Sequence, residues 1–184
     1  MKKDRLDKQL EFILAIDKEK NIFRQTYVSD ASRMENDAEH AWHMAVMCMI
    51  LSEYAEHPID KLKTMTMLLI HDLVEIYAGD TYAYAGVDAE EIHQREYAAA
   101  EKLYGMLPED QGIYFMNLWK EFEEGKSPEA QFARTMDRIQ PMMLNAATDG
   151  RAWKEHKVRL SQIMKRNEHT AEGSYVLWDY ALKH

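Results

Sequence analysis

The sequence predicts an all-α fold in a single domain, and three observations carry that expectation. Seven glycines and four prolines in 184 residues supply too little turn chemistry for an all-β sandwich, which turns roughly every 8–12 residues. Apolar residues recur at helical spacing, and nothing alternates with period two over a useful length. Capping residues fall between the periodic segments.

Each element follows in order. Leu6, Leu10, Ile13 and Leu14, at i, i+4, i+7 and i+8, predict an amphipathic helix over 4–17. Asn36 and Glu39 form a capping-box pair opening a helix over 36–56. Leu62, Met65, Leu69, Leu73 and Ile76 mark a helix over 59–78 that stops before Gly79. Asp88 and Glu91 open 88–105, closed by Gly105, and 109–124 ends at Gly125. Ser127-Pro128 supplies an N-cap and a first-turn proline for 128–148, with Gly150 beyond it. Helices over 153–168 and 174–183 complete the chain. The sequence shows no repeat, low-complexity tract or linker, so one domain spans 1–184. Its motif-bearing core covers about 20–145, with helices at about 150–184 packed on it. The 13 methionines read as adaptable core filler.

Composition excludes several functions. With 32 acidic and 23 basic side chains the net charge is −9, which argues against nucleic acid as a partner. The single cysteine, Cys48, excludes an internal disulfide framework and fits a reducing compartment. The longest apolar run, Ala45 to Leu51, is too short to cross a bilayer, so no membrane partner is expected. The opening MKKDRLDKQL lacks the apolar core of a secretory signal, and the expected location is the cytoplasm.

Chemistry shows where the apolar pattern breaks. In MTMLLIHDLVEIYAGD, His71 and Asp72 interrupt an apolar face, with Glu75 at i+4 from His71. A buried Asp needs a partner or a cation. In AEHAWHMAVMCMIL, His40 and His43 lead into an apolar segment, and a neutral imidazole there suits a transition metal. His43, one turn from His40, reads more readily as a core histidine than as a ligand. In TMDRIQPMML, Asp137 sits in an apolar-rich helix with Pro141 four residues on. Pro141 has no N–H for the Asp137 carbonyl, so a bend there is expected, aiming Asp137. Each break alone has a bland structural reading, an Asp–His bond or a surface Asp137–Arg138 pair. Together, two His and two Asp from three helices form a plausible shell for one divalent ion, which nitrogen and oxygen donors make a transition metal rather than Ca.

His40, His71-Asp72 and Asp137 resemble the H…HD…D signature of the HD-domain metal-dependent phosphohydrolases. Two longer strings sharpen the likeness: Arg33-Met34-Glu35-Asn36-Asp37-Ala38-Glu39-His40, and H-D-x-x-E-x-x-x-G-D from His71 to Asp80, which is similar to the 5′-deoxynucleotidase branch. The resemblance implies an all-α HD fold and one divalent transition metal (Mn, Co, Fe, Ni or Zn) on His40, His71, Asp72 and Asp137. It also implies catalytic roles for Glu75, as acid/base, and Asp80, near a sugar hydroxyl. Arg24, in Arg24-Gln25-Thr26, is the nearest match to the branch's phosphate-binding Arg, although the tryptophan that follows it there is missing here; Arg33 is a second candidate. His156 and Arg166-Asn167 could reach the site from the last helices.

The expected function is therefore hydrolysis of a nucleoside 5′-monophosphate, or a similar small phosphate ester, by metal-activated water. The competing readings are a dinuclear-metal HD oxygenase or phosphodiesterase, a ferritin-like di-iron protein and a silent helical binding module. The di-iron reading needs two Glu-x-x-His elements, and the chain offers one, Glu90 to His93. A homodimer is expected, with Trp119, Trp153 and Trp178 as interface candidates.

Overall fold

The structure is a computed structural model that describes residues 4–84, 86 and 88–184; Met1–Lys3 of the N-terminal stretch lie outside the described residues. Helix α1 (Arg5–Ile16) starts at Asp4, which exchanges capping-box hydrogen bonds with Asp7. The helix forms as expected, but its predicted core stripe faces outward. Leu6, Leu10, Ile13 and Leu14 are 60%, 50%, 56% and 74% exposed, whereas Phe12 and Ala15 are buried. Phe12 sets that orientation by packing on Phe115, ring centroids 6.1 Å apart, and polar contacts accompany it. Arg5 pairs with Asp110 at 2.7 Å and Gln9 with Gln111 at 2.8 Å.

A 3₁₀ turn (Asp17–Asn21) leads into a hairpin that the sequence reading did not anticipate. Strands β1 (Phe23–Tyr27) and β2 (Met34–Asn36) pair antiparallel, Phe23 opposite Asn36 and Tyr27 opposite Met34. No position of β1 is fully buried, so it carries no inward-outward alternation to read. Helix α2 (Asp37–Leu51) begins with the expected Asn36–Glu39 capping box and ends in a 3₁₀ turn short of the predicted 56.

The predicted helix over 59–78 is three pieces: α3 (Lys61–Ile70), a 3₁₀ turn (His71–Val74) and α4 (Glu75–Ala78). Leu62 and Leu69 of its predicted stripe are exposed, while Met67, Leu68 and Ile70 are buried. Gly79 follows at φ +76°. Next come α5 (Ala89–Tyr104), α6 (Glu109–Glu124) and α7 (Pro128–Ala147). Helix α7 continues through Pro141, whose carbonyl accepts from Asn145 Nδ2 at 3.0 Å. The predicted helix over 153–168 is instead α8 (Arg151–Glu155) and α9 (Leu160–Arg166); α10 (Thr170–Gly173) and α11 (Tyr175–Lys183) follow.

Helices α2, α3, α6 and α7 enclose a core that includes Met44, Met47, Met67, Met136, Phe132 and Trp119. Methionine as core filler holds for those four. Buried Trp119 belongs to the core and not to a surface interface. The C-terminal helices lock onto α7 at Gly173, where a Cβ would come within 2.3 Å of the Gln131 carbonyl oxygen. Thr135 Oγ1 donates to the Thr170 carbonyl at 2.8 Å beside it.

Candidate active site

The site is built where α3 breaks. Tyr104 Oη donates to the Ile70 carbonyl at 2.8 Å, satisfying a group at the helix end. The tighter turn then delivers His71 and Asp72 toward His40 of α2 and Asp137 of α7. His40 Nε2 lies 3.2 Å from Asp137 Oδ1 and 4.0 Å from Asp72 Oδ2. His71 Nε2 lies 3.0 Å from Asp72 Oδ1 and 3.9 Å from Asp137 Oδ1. One donor atom from each of His40, His71 and Asp72 lies within 4.8 Å of the others. All four expected ligands therefore converge.

Both imidazoles are oriented from behind. His71 Nδ1 stands 3.0 Å from the Leu68 carbonyl, and His40 Nδ1 stands 2.9 Å from Gln140 Oε1. Only an N–H can donate to these oxygens, so Nδ1 is protonated in both rings and each Nε2 is the nitrogen left to face the carboxylates, where a cation would take the place of its proton. Despite its short distance to Asp72, His71 Nε2 lacks hydrogen-bond alignment and is a buried atom without a partner. An unpartnered buried nitrogen among carboxylates is the environment of a cation ligand, and two nitrogens with carboxylate oxygens suit a divalent transition ion. The residues fit the metal.

The electrostatics agree. Burial opposes protonation of His71, yet Asp72 and Asp137 raise its pKa to about 9. Burial and Arg24 likewise oppose protonation of His40, but Asp137 and Glu35 hold it above the usual value. Burial works against ionisation of Asp72 and Asp137, and the surrounding cations outweigh it, keeping both carboxylates below their ordinary range. Positive charge is favoured at this point in the fold.

The other expected residues divide. Strand β1 carries Arg24 to the centre, with Nη1 2.7 Å from Asp72 Oδ2 and 3.2 Å from Asp37 Oδ1. Arg33 does not arrive. Its exposed guanidinium forms a fork on half-buried Glu39, both bonds at 2.7 Å, because the capping-box carboxylate lies beside it. Glu75 faces Asp37 carboxyl to carboxyl. Burial first, then the charges of Asp72 and Asp37, push its pKa well above the usual carboxylate value. Asp80 is raised too, chiefly by burial. Glu75, Asp80 and Arg24 line one cavity of about 380 Å³ with His71, Asp72 and Asp137. That lies within the ~300–1,000 Å³ range of small-molecule sites. Tyr82, Tyr84 and Trp153 form an aromatic part of the wall. Arg166 and Asn167 do reach the cavity from α9, while His156 packs its ring 4.5 Å from that of Tyr82.

His43 does not join the ligands. Its Nδ1 lies 3.1 Å from Gln140 Nε2, which also donates to Glu35 Oε1 at 2.7 Å. Gln140 and Glu35 were missed in the sequence, although a glutamine between Ile139 and Pro141 on an apolar face is a readable irregularity. Glu90 and His93 are exposed on α5.

The HD domain family model matches residues 16–178. The chain belongs to the HD domain family. It is 30% identical over 139 residues to 5′-deoxynucleotidase HDDC2 of Homo sapiens, covering 75% of this chain and 66% of that protein. With the Dictyostelium discoideum 5′-deoxynucleotidase HDDC2 it shares 31% identity over 143 residues, 74% of this chain and 75% of the relative. The chain thus spans slightly less than two thirds of its human relative. Among solved structures, a predicted metal-dependent phosphohydrolase from Magnetospirillum magnetotacticum MS-1 superposes with a TM-score of 0.92 at 43% identity, covering 97% of this chain and 90% of the other. This HD fold is helical, with one two-stranded hairpin among the described residues.

Proposed function

We propose that this chain is a metal-dependent phosphomonoesterase that hydrolyses nucleoside 5′-monophosphates, deoxynucleotides among them. The observation that carries the reading is the convergence of His40, His71, Asp72 and Asp137 at a cavity whose wall also holds Glu75 and Asp80. The names of the HDDC2 relatives support the nucleotide, and the solved phosphohydrolase supports the phosphate ester.

His40, His71, Asp72 and Asp137 would hold the metal, which when bound supplies a Lewis acid and a water of lowered pKa. Arg24 holds the Asp72 carboxylate in place through its 2.7 Å bond. Glu75 retains a proton at a pH where an exposed glutamate has lost it, and that proton serves the leaving 5′-oxygen as general acid. Asp80 accepts a sugar hydroxyl. The Tyr82, Tyr84 and Trp153 wall offers aromatic faces for a nucleobase.

A panel of ribo- and deoxyribonucleoside 5′-monophosphates, assayed for phosphate release with Mn or Co and with chelator, tests the reading. Turnover abolished by chelator and restored by metal is expected. No release from any member of the metal-loaded panel would sink it. The homodimer is part of the same proposal, with the exposed leucine face of α1 as its apolar surface; a monomeric mass by light scattering at micromolar concentration removes it. A reducing cellular location is inferred from buried, unpaired Cys48, and no helix of the described residues is long and apolar enough to cross a membrane.

A further inference from the structure

The cavity wall holds an arginine that the reading above does not use and that pairs with no carboxylate among the described residues. Most arginines on its wall are already engaged. Arg24 bonds Asp72 and Asp37, Arg134 donates to the Glu123 carbonyl at 2.8 Å, and Arg138 lies 3.3 Å from Asp137 Oδ2. Arg166, at the end of α9, lines the same cavity and is different. Among the described residues it makes no hydrogen bond and no ion pair.

Its surroundings show where its charge acts. Residue 166 as a whole is exposed, yet the guanidinium is crowded by the cavity wall. Burial first, then repulsion from Arg138, lowers its pKa to about 10, which leaves it charged at neutral pH. Asp137 and Tyr84 attract it, and its charge also acts on Asp80; all three border the cavity. Two guanidiniums repel each other beside a metal-ligand carboxylate, and one of them has no anion. A group with several anionic oxygens relieves that repulsion and matches the forked donors of arginine.

We propose that Arg166, assisted by Arg138, binds the phosphoryl oxygens of the substrate, the role that Arg33, held on Glu39 outside the cavity lining, does not fill. The proposal rests on the phosphate-ester reading of this cavity. It makes Arg166 a substrate-binding residue contributed by the C-terminal helices, which the Gly173 contact fastens to α7.

The test is titration of inorganic phosphate into the Mn-loaded protein by isothermal calorimetry, for wild type, Arg166→Gln and Arg166→Lys. Loss of a charged hydrogen-bonding group predicts phosphate affinity roughly ten- to hundredfold weaker in Arg166→Gln. Arg166→Lys should fall between it and wild type. Mn affinity and melting temperature should stay unchanged, since Arg166 carries no structural bond. In turnover the KM for nucleotide should rise by a similar factor, with kcat less affected. Phosphate affinity within twofold of wild type in a folded Arg166→Gln, or no phosphate binding by wild type, overturns the proposal. If Arg166→Gln melts early, Arg166→Lys decides: about threefold weakening or more supports the proposal, and equal affinity refutes it. The two readings fail separately. Phosphate binding that depends on Arg166 without turnover of any nucleotide removes the proposed function and keeps the anion site; turnover with Arg166-independent phosphate binding does the reverse.

Discussion

Replacing Gln140 by methionine deletes a fully buried side chain's hydrogen bonds to three partners while nearly preserving its volume. His40 Nδ1 loses its acceptor at 2.9 Å, Glu35 Oε1 its donor at 2.7 Å, and His43 Nδ1 its neighbour at 3.1 Å. Partners that orient a metal-ligating histidine typically contribute ~10–100-fold to metal affinity, about 1.4–2.8 kcal/mol. The structure places this case near the lower end. Glu35 Oε2 lies 3.5 Å from His40 Nδ1 and can take over as acceptor after a small shift. We expect Mn affinity to fall about tenfold. Stability should fall as well, because buried polar atoms left unpaired cost roughly 1–3 kcal/mol each. One or two such losses, about 1–6 kcal/mol, correspond to a drop in melting temperature of about 2–24 °C for a domain of this size. Chelator competition measures the metal affinity, and thermal melts in excess chelator measure the apoprotein separately. A lower apoprotein melt with Mn affinity within twofold of wild type would refute the orienting role and leave Gln140 a packing residue.

Asp72→Ala should abolish stoichiometric metal binding, read by elemental analysis after gel filtration, because it removes a carboxylate facing both imidazoles; retained metal would show the ligand set is wrong. Glu75→Ala should keep metal and fold while turnover drops by a factor of ~10² to 10⁴, the usual range for a positioned acid or base; near-normal rates would make Glu75 structural. Burial first, then Glu123 and Asp72, raises the Glu96 pKa to about 7. The native state therefore holds a proton that the unfolded chain has released, and stability falls as pH rises from about 4.5 to 7. Melts of metal-free Glu96→Gln should show an advantage over wild type that grows across that window and then levels; a difference independent of pH would count against this burial. Pro141→Ala should weaken metal affinity if the missing hydrogen bond helps aim Asp137; an unchanged affinity in a calorimetric titration would remove the aiming role and leave the ligand role intact.

The site was more legible than the packing around it. His40, His71, Asp72 and Asp137 each break an apolar pattern, and such breaks survive in one dimension because burying a polar group demands a reason. Arg24 and Arg33 break no pattern. Only the hairpin decides that one reaches Asp72 while the other closes on Glu39, and β1 is too short and too evenly half-buried to announce itself. The leucines of α1 mislead for the complementary reason. Periodicity identifies a helix and one apolar face, but not whether the chain covers that face. Here the helix docks through Phe12, which packs on Phe115 of α6, with the polar contacts of Arg5 and Gln9 to α6 beside it. Gln140 is a readable irregularity on an apolar face, but its role in orienting His40 emerges only once its partners, 97 to 105 residues away in sequence, are known.

The break in α3 also changes how the H-D-x-x-E string works. In a continuous α-helix Glu75 would lie one turn from His71, at i+4, the relation the sequence suggests. In a 3₁₀ turn there are three residues per turn, and side chains at i and i+3 eclipse. That aligns His71 with Val74 and Asp72 with Glu75. Burial follows this pairing: His71 and Val74 are buried, whereas Asp72 and Glu75 are partly accessible. The carboxyl assigned to proton transfer therefore stacks beside a ligand carboxylate, whose charge is, after burial, the largest influence holding the Glu75 proton. Had α3 continued as an α-helix, Asp72 would have turned about 60° away from Glu75 and that influence would weaken. The irregular turn is what places the proposed ligand carboxylate and the proposed proton donor on one wall.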